Sequence, residues 1–343
     1  MMKRYIIGIL TVFLIVSSGA SAEDRVNQLS AQASISGQGT GHDDSEAAKW
    51  LQMAELEGNA KAQYNLGLIY LKGNGKDVRQ DYAEAAKWLR LAAGQGHADA
   101  QYNLGVLYDN GQGVRQDYIE ATKWYRLAAA QGNADAQYNL GVMYDNGQGV
   151  RKDHAEAAKW FRLAAEQGYV RAQYNLGALY LNINGQGVRQ DFAEAAKWFR
   201  LAAGKGNADA QYNLGVMYAN GQGFTQDYAE AAEWYRLAAE RGYARAQYNL
   251  GVMCENGQGF QQDYVVSAKW YGLAAEKGYG PALYNLGVLY LKGRGVRQNI
   301  PLAKELFVKA CDNGLQAGCS AFQKLRESES GDSSIPSLMT VSQ

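Results

Sequence analysis

The hexapeptide Ala-Gln-Tyr-Asn-Leu-Gly at residues 136–141 decides the fold, because it returns along the chain at a nearly constant interval. Copies spaced 36 or 38 residues apart begin at Ala62, Ala100, Ala136, Ala172, Ala210 and Ala246, and the variant Ala-Leu-Tyr-Asn-Leu-Gly begins at Ala282. Self-similarity at such a period indicates stacked helix pairs, each of which buries its apolar face against its neighbours. The sequence therefore predicts an all-α solenoid of about seven helix pairs.

Each repeat divides into a helix A, a glycine turn and a helix B. Helix A carries the hexapeptide and ends shortly after a tyrosine such as Tyr144, and a Gly-x-Gly turn follows, where positive φ angles cost little. Helix B opens with an aspartate and a glutamate three residues apart, which is the pattern of a reciprocal capping box. The five pairs are Asp81 and Glu84, Asp117 and Glu120, Asp153 and Glu156, Asp191 and Glu194, and Asp227 and Glu230.

Two residue types inside the helices predict close packing. The glycine that ends each hexapeptide, such as Gly141, costs about 1 kcal/mol in a helix relative to alanine. We expect it to let two helix backbones approach, with the paired alanines of helix B on the opposing side. All tryptophans occupy one position of helix B, and this periodicity indicates core packing rather than ligand stacking. They are Trp50, Trp88, Trp124, Trp160, Trp198, Trp234 and Trp270.

The two ends of the chain differ from the repeats. The first residues combine a basic start, an apolar stretch and an Ala-Ser-Ala site, which predicts a signal peptide cleaved after Ala22. The apolar stretch is shorter than the roughly 20 residues that a membrane span needs. The predicted divisions are a signal peptide at 1–22, a disordered linker at 23–43, a capping helix at 44–59, the solenoid at 60–325 and a disordered tail at 326–343. We expect an exported protein, periplasmic or secreted.

The motifs Ala-x-Tyr-Asn-Leu-Gly, Gly-x-Gly-Val, Asp-x-x-x-Ala and Trp-x-x-x-Ala-Ala-x-x-Gly together resemble the Sel1-like repeat family, a relative of the tetratricopeptide repeats. The resemblance covers about residues 44 to 325. It implies a right-handed superhelix with helix A lining its concave side. It also implies an adaptor role in assembly, in host contact or in the envelope.

Two cysteines near the end of the array extend the resemblance. The run from Lys309 to Cys319 is similar to a cysteine-rich exported subgroup of the family, which implies a disulfide between Cys311 and Cys319. In a helical hairpin their spacing places both side chains near one turn, and an exported protein can oxidise them. The alternative is two free thiols. We expect Cys254, which replaces the tyrosine at the end of a helix A, to remain a packed free thiol.

Charge and histidine content argue against several kinds of function. The 34 Lys and Arg residues balance 34 Asp and Glu residues, so no global field attracts nucleic acid. The three histidines, His42, His97 and His154, each stand alone, so a metal site or a histidine-based catalytic triad lacks its partners. We therefore expect no catalytic residue, no metal and no cofactor.

One stripe of helix A is not explained by packing or capping. It contains the hexapeptide asparagine and the residue four positions before it, which changes between acidic and basic along the array. The candidates for a peptide-binding groove are Asn65, Asn103, Asn139, Asn175, Asn213, Asn249 and Asn285 with Asp99, Asp135, Arg171, Asp209 and Arg245. Asparagines there can hold an extended peptide backbone while the charges select its sequence. The equally weighted alternative is that each asparagine ties a helix to its neighbour and the charges are merely solvated.

These features predict an exported scaffold that presents a groove to a protein or peptide, in host interaction or envelope assembly. We expect a monomer without stable membrane insertion after signal cleavage. The alternative function is weak binding or hydrolysis of a β-lactam or a peptidoglycan fragment, because some cysteine-rich proteins that resemble this chain carry a β-lactamase label. We favour the scaffold because the sequence lacks catalytic constellations.

Overall fold

The computed structural model describes residues 50–51, 53–54, 58–73, 78–181 and 187–329, and the chain is helical without strands in these ranges. Helices A carry odd numbers up to α13, helices B carry even numbers, and α15 follows the last pair. The helices are α1 (Ala60–Lys72), α2 (Tyr82–Gly94), α3 (Ala98–Asn110), α4 (Tyr118–Ala130), α5 (Ala134–Asn146), α6 (His154–Glu166), α7 (Val170–Leu181), α8 (Phe192–Gly204), α9 (Ala208–Asn220), α10 (Tyr228–Glu240), α11 (Ala244–Asn256), α12 (Tyr264–Glu276), α13 (Gly280–Lys292), α14 (Ile300–Asp312) and α15 (Gln316–Glu329).

Several predicted divisions lie outside the described residues. The signal peptide, the linker and the tail beyond Glu329 are among them, and the predicted capping helix at 44–59 is described only in part. The described residues from Trp50 to Ala54 are helical. At the other end α15 ends at Glu329, four residues past the boundary predicted at residue 325, and Leu325 packs into the core at 7% exposure.

The described residues fall into two compact units, the first ending at Tyr169 and the second beginning at Val170. In the first unit each helix A packs against helix B of its own repeat, and each helix B packs against the next helix A, as α2 does against α1 and α3. The second unit follows the same scheme from α7 to α14, and α15 packs against α14. The predicted all-α solenoid of repeated helix pairs is confirmed within each unit.

The hexapeptide glycine packs under a large side chain of helix B. A Cβ atom on Gly141 would lie 2.6 Å from the Phe161 ring, and one on Gly251 would lie 2.5 Å from the Tyr271 ring. The glycine allows close packing, but the nearest atoms belong to a helix B side chain, whereas the sequence predicted an approach of two helix backbones. The prediction that paired alanines oppose the glycine is wrong, because the residue one past the tryptophan position occupies that place. The opposing residues are Leu89, Tyr125, Phe161, Phe199, Tyr235, Tyr271 and Phe307.

A single aspartate caps the start of helix B. The Asp117 carboxylate accepts from the Glu120 backbone amide at 3.1 Å, as the capping pattern predicts. The reciprocal bond is replaced: the Asp117 amide donates to the Tyr108 carbonyl at 3.0 Å, while the Glu120 carboxylate pairs with Lys123. The predicted capping box is therefore corrected to a one-sided cap that also fastens helix B to the end of helix A.

The hexapeptide glutamine is buried and fastens helix A to the preceding helix B. Gln101 Nε2 donates to the Ala93 carbonyl at 3.1 Å, and Gln101 Oε1 accepts from Gln131 Nε2 at 2.8 Å. Gln137 makes the same two kinds of contact one repeat later. Burial of Gln101 and Gln137 is compatible with their polarity because both ends of each amide have partners. The Nε2 atoms of Gln211 and Gln247 make the same bond to helix B, but their Oε1 atoms are buried without a hydrogen bond.

The carboxyl-terminal cysteines lie together as the resemblance implies. The Sγ atoms of Cys311 and Cys319 are 1.98 Å apart, at disulfide distance, and they join the end of α14 to α15. Cys254 on α11 is buried and has no sulfur partner among the described residues.

Candidate functional site

The predicted groove residues define what we call the helix-A face. It comprises the hexapeptide tyrosine and asparagine of each helix A and the residue four positions before the asparagine. All seven asparagines are half-buried. Among the charged candidates Asp99, Asp135, Arg171 and Arg245 are exposed, and Asp209 is half-buried. The charges are therefore open to a partner, whereas the asparagines belong partly to the interior.

The asparagines bind the protein itself. Asn285 Nδ2 donates to the Tyr271 hydroxyl at 3.1 Å. Burial raises the pKa of Tyr102 and of Tyr125 in the preceding repeat, and interaction with the Asn139 side chain opposes that rise. These contacts favour the alternative in which each asparagine ties a helix to its neighbour, and they leave the amide oxygen as the atom that a partner can use.

Aromatic side chains of successive repeats pack against one another on the same face. The hexapeptide tyrosine packs on the residue that precedes the next helix A wherever that residue has a ring. The pairs, with their centroid distances, are Tyr64 and His97 at 4.4 Å, Tyr138 and Tyr169 at 5.0 Å, Tyr212 and Tyr243 at 5.1 Å, and Tyr248 and Tyr279 at 5.4 Å. The sequence analysis did not include these tyrosines among the candidate site residues. The sequence does contain an indication of this packing, because the residue before helix A is asparagine in some repeats and has an aromatic ring in others.

The face of α3 and α5, in the first unit, is acidic. Asp99 Oδ1 accepts from Asn133 Nδ2 at 2.9 Å. Burial raises the pKa of Tyr64, and Asp99 raises it further because a phenolate beside a carboxylate is disfavoured. Burial and Asp135 raise the pKa of Tyr102 in the same order. The tyrosines therefore stay neutral, and the two carboxylates carry the charge of this face.

The face of α9 and α11, in the second unit, combines both charges. Burial raises the pKa of Tyr243 to about 12, and the hydrogen bond that its hydroxyl donates to Asp209 adds to the shift. Arg245 acts in the opposite direction because a cation favours the phenolate. The ring of Tyr212 packs on Tyr243. An acid, a base and two rings thus meet within one patch.

The described residues offer little for catalysis. They contain no group of three or more His, Cys, Asp or Glu side chains that could hold a metal ion. Burial raises the pKa of the Cys254 thiol, and Asp263 raises it further, so the thiol is a weak nucleophile. No helix in the described part of the chain is both long and apolar enough to cross a bilayer.

Two solved structures share this arrangement of helices. The first is a protective antigen present in uropathogenic Escherichia coli strains that displays an SLR fold. Its identity is 34% and its TM-score 0.77, and the match covers 89% of this chain and 67% of that chain. The second is a Sel1 repeat protein from Oxalobacter formigenes. Its identity is 33% and its TM-score 0.59, and the match covers 72% of this chain and 96% of that chain. No curated protein matches the chain.

A family model, the Sel1 repeat, matches consecutive stretches of the sequence. These are residues 28–59, 60–97, 98–133, 134–169, 170–207, 208–243, 244–279 and 280–315. The first stretch begins upstream of the predicted capping helix at 44–59. The seven others each contain one helix A and one helix B of the structure. The chain therefore belongs to the Sel1 repeat family.

Proposed function

We propose that this chain is an exported scaffold that binds a protein or peptide partner on its helix-A face. Sel1 repeat proteins are typically scaffolds for protein interaction, which supports the class of function. The observation that carries the proposal is the set of exposed charges on the face, Asp99 and Asp135 in the first unit and Arg171 and Arg245 in the second. The repeat does not require a charge of one sign at this position, because the sign changes between otherwise equivalent repeats.

The other members of the face support a division of labour. The packed tyrosines offer rigid apolar area with a polar edge, which is typical of residues that dominate protein interfaces. The asparagine oxygens offer acceptors for a backbone amide. The charges then select a partner by electrostatic complementarity, so a segment held by α3 and α5 is expected to be basic.

The test replaces the acidic pair and compares capture of partners. We expect Asp99→Lys with Asp135→Lys to lose a protein that the wild type captures from an envelope or host extract. The matched control is Lys123→Glu with Lys159→Glu, which changes exposed lysines of helix B and leaves the helix-A face intact. Circular dichroism shows whether each variant is folded. If every captured protein is retained equally by both variants, the helix-A face is not the binding surface.

Export rests on two supporting observations. The Cys311 and Cys319 sulfurs lie at disulfide distance, and disulfides persist in oxidising compartments. The related Escherichia coli structure is that of a protective antigen, and an exported protein is open to such recognition. We expect protein sequencing of the exported chain to give Glu23 as its first residue, since the predicted cleavage follows Ala22. An uncleaved chain retained in the cytoplasm would contradict export.

No observation in the described residues favours the alternative of β-lactam or peptidoglycan-fragment hydrolysis. It remains a prediction that nitrocefin turnover by the purified protein would test. Turnover counts only if it disappears on substitution of a nucleophile in this chain.

A further inference from the structure

The tyrosine at the end of helix A usually fills a site built by the preceding helix B. Its hydroxyl accepts from an arginine eighteen residues earlier, as Tyr218 does from Arg200 at 2.8 Å. The Tyr218 ring is stacked on Phe224 with a centroid distance of 4.3 Å, and the Arg200 guanidinium lies 4.6 Å from the Phe224 ring. The same arginine–hydroxyl bond is made by Arg90 to Tyr108 and by Arg126 to Tyr144. In the repeat of Tyr218 an arginine and a phenylalanine thus form a receptor for a phenol, whereas the repeats of Tyr108 and Tyr144 have Val114 and Val150 in place of Phe224.

The next repeat keeps the receptor and lacks the phenol. Arg236 and Phe260 stand at the positions of Arg200 and Phe224, but the residue between them is Cys254. Phe260 is 38% exposed and has no ring contact among the described residues. Arg236 instead forms ion pairs with Glu233 and Glu240 of its own helix. These pairs are exposed to solvent and therefore weak, so a ligand can replace them.

A pocket opens where the missing ring would lie. Its volume is about 630 Å³, within the range of ligand sites. Cys254, Leu250, Val266 and Trp270 supply apolar lining, and Phe260 and Arg236 lie at its edge. Cys254 stands at the sequence position that Tyr218 holds one repeat earlier, and its side chain has no ring to stack on Phe260, so the pocket has room for a phenol there.

We propose that this pocket binds a tyrosine side chain of a partner polypeptide, with the ring against Phe260 and the hydroxyl accepting from Arg236. A tyrosine is the occupant that the preceding repeat presents to the same pair of residues, since Tyr218 contacts both Arg200 and Phe224. Asp227, Glu230 and Asp263 also border the pocket, so basic or neutral residues beside the tyrosine are favoured over acidic ones. The pocket shares no residue with the helix-A face, so its test is independent of the one above.

The probe is N-acetyl-tyrosinamide, compared with N-acetyl-phenylalaninamide and with N-acetyl-tyrosine, by ligand-observed NMR titration of the purified protein. We expect saturable binding of the tyrosine amide. Loss of the hydroxyl should weaken binding about tenfold, because the Arg236 donor then lacks its acceptor. The free carboxylate should weaken it through repulsion by the acidic border. Equal binding of the phenylalanine and tyrosine amides would overturn the assignment.

Variants of Cys254 locate the binding. Cys254→Tyr restores the sister arrangement, so it should fill the pocket, raise the thermal midpoint and abolish probe binding. Cys254→Ser keeps the space and should bind the probe as the wild type does. Tyr218→Cys opens the equivalent space one repeat earlier and should add a second site. Unchanged binding by Cys254→Tyr would overturn the proposal. So would an unchanged preference for tyrosine over phenylalanine in Arg236→Gln, a variant that leaves the apolar part of the pocket lining in place.

Discussion

At the scale of the residue, each hexapeptide glycine is required because a side chain of helix B packs directly against it. The sequence predicted that the glycine allows a close approach, because a helix-interior glycine recurs in every repeat. It could not predict the opposing residue, because helical periodicity leaves the rotation of one helix against the other undetermined. The ring of Tyr271 fits over Gly251 only because that position lacks a Cβ atom.

Gly251→Ala should therefore destabilise the protein, although alanine is the better helix former. A Cβ atom 2.5 Å from the Tyr271 ring forces a shift in a packed core, at a cost of about 1–3 kcal/mol. The matched control is Gly272→Ala in α12, where a Cβ atom meets nothing within 4 Å. We expect this control to stabilise by roughly 0.5–1 kcal/mol, and urea unfolding measures both. A neutral Gly251→Ala would contradict the close packing.

The hexapeptide also shows where reading single residues fails. The sequence singled out the asparagine as a candidate for binding, and in the structure much of its amide is used between helices, as Asn285 is by Tyr271. The glutamine two positions earlier was not singled out, although Gln101 is buried at 4% exposure. Hydropathy assigns both residues to the surface, and only the partners supplied by neighbouring helices decide which one is buried.

At the scale of the element, the junction between helix A and helix B depends on one residue. The carboxylate of Asp117 caps α4, and its backbone amide donates to the Tyr108 carbonyl at the end of α3. The start of helix B was predictable from the Asp-x-x-Glu pattern. The direction of the second bond was not, because it depends on where the preceding helix ends in space.

The one-sided cap predicts that the aspartate and the glutamate of the Asp-x-x-Glu pattern contribute differently to stability. Asp117→Ala removes the side-chain acceptor and should cost about 1 kcal/mol in the free energy of unfolding. Glu120→Ala removes only a surface pair with Lys123, so we expect a change of at most about 0.5 kcal/mol. Denaturant unfolding of both variants distinguishes this arrangement from a reciprocal box. Equal losses of stability in the two variants would support the reciprocal capping box instead.

The cysteine pair is a second feature of this scale. It closes a short loop of sequence separation 8 between α14 and α15, for which chain entropy gives roughly 2–3 kcal/mol. Replacing Cys311 and Cys319 together by serine should speed hydrogen exchange in α15 by about thirtyfold or more, because α15 has only one neighbouring pair to hold it. Dithiothreitol should reproduce the effect in the wild type and add nothing to the double variant. If neither the double substitution nor dithiothreitol changes hydrogen exchange in α15, packing alone holds the helix in place.

At the scale of the whole molecule, the repeat made the fold predictable and concealed the exceptions. The helix order was predictable because the same pattern of helix A, glycine turn and helix B occurs in all seven repeats. The pocket at Cys254 was not predictable from the sequence, where this residue is one substitution among many. The proposed role of Cys254 depends on Arg236 and Phe260, which lie on other elements and line the same pocket in the folded chain.

Tyrosine burial predicts how the molecule responds to alkali. Raised pKa values occur in Tyr64, Tyr102, Tyr125, Tyr174, Tyr235, Tyr243, Tyr248, Tyr271, Tyr279 and Tyr284. A raised pKa in the folded state means that folding favours the neutral phenol. The resulting stability is fully present below the ordinary pKa of 10.0, and it is lost as the pH rises through the folded values, which reach about 12 for Tyr243.

We therefore expect titration of these tyrosines to leave the free energy of unfolding unchanged with pH near neutrality and to lower it steadily above a pH of about 10. Tyrosinate absorbance and circular dichroism, followed together, should show these tyrosines ionising only as helices are lost. Tyr243→Phe removes one titrating group while keeping the ring, so it should make the alkaline loss shallower. If the tyrosines ionise near a pH of about 10 while the helices remain intact, their rings are not held between the repeats as the structure places them.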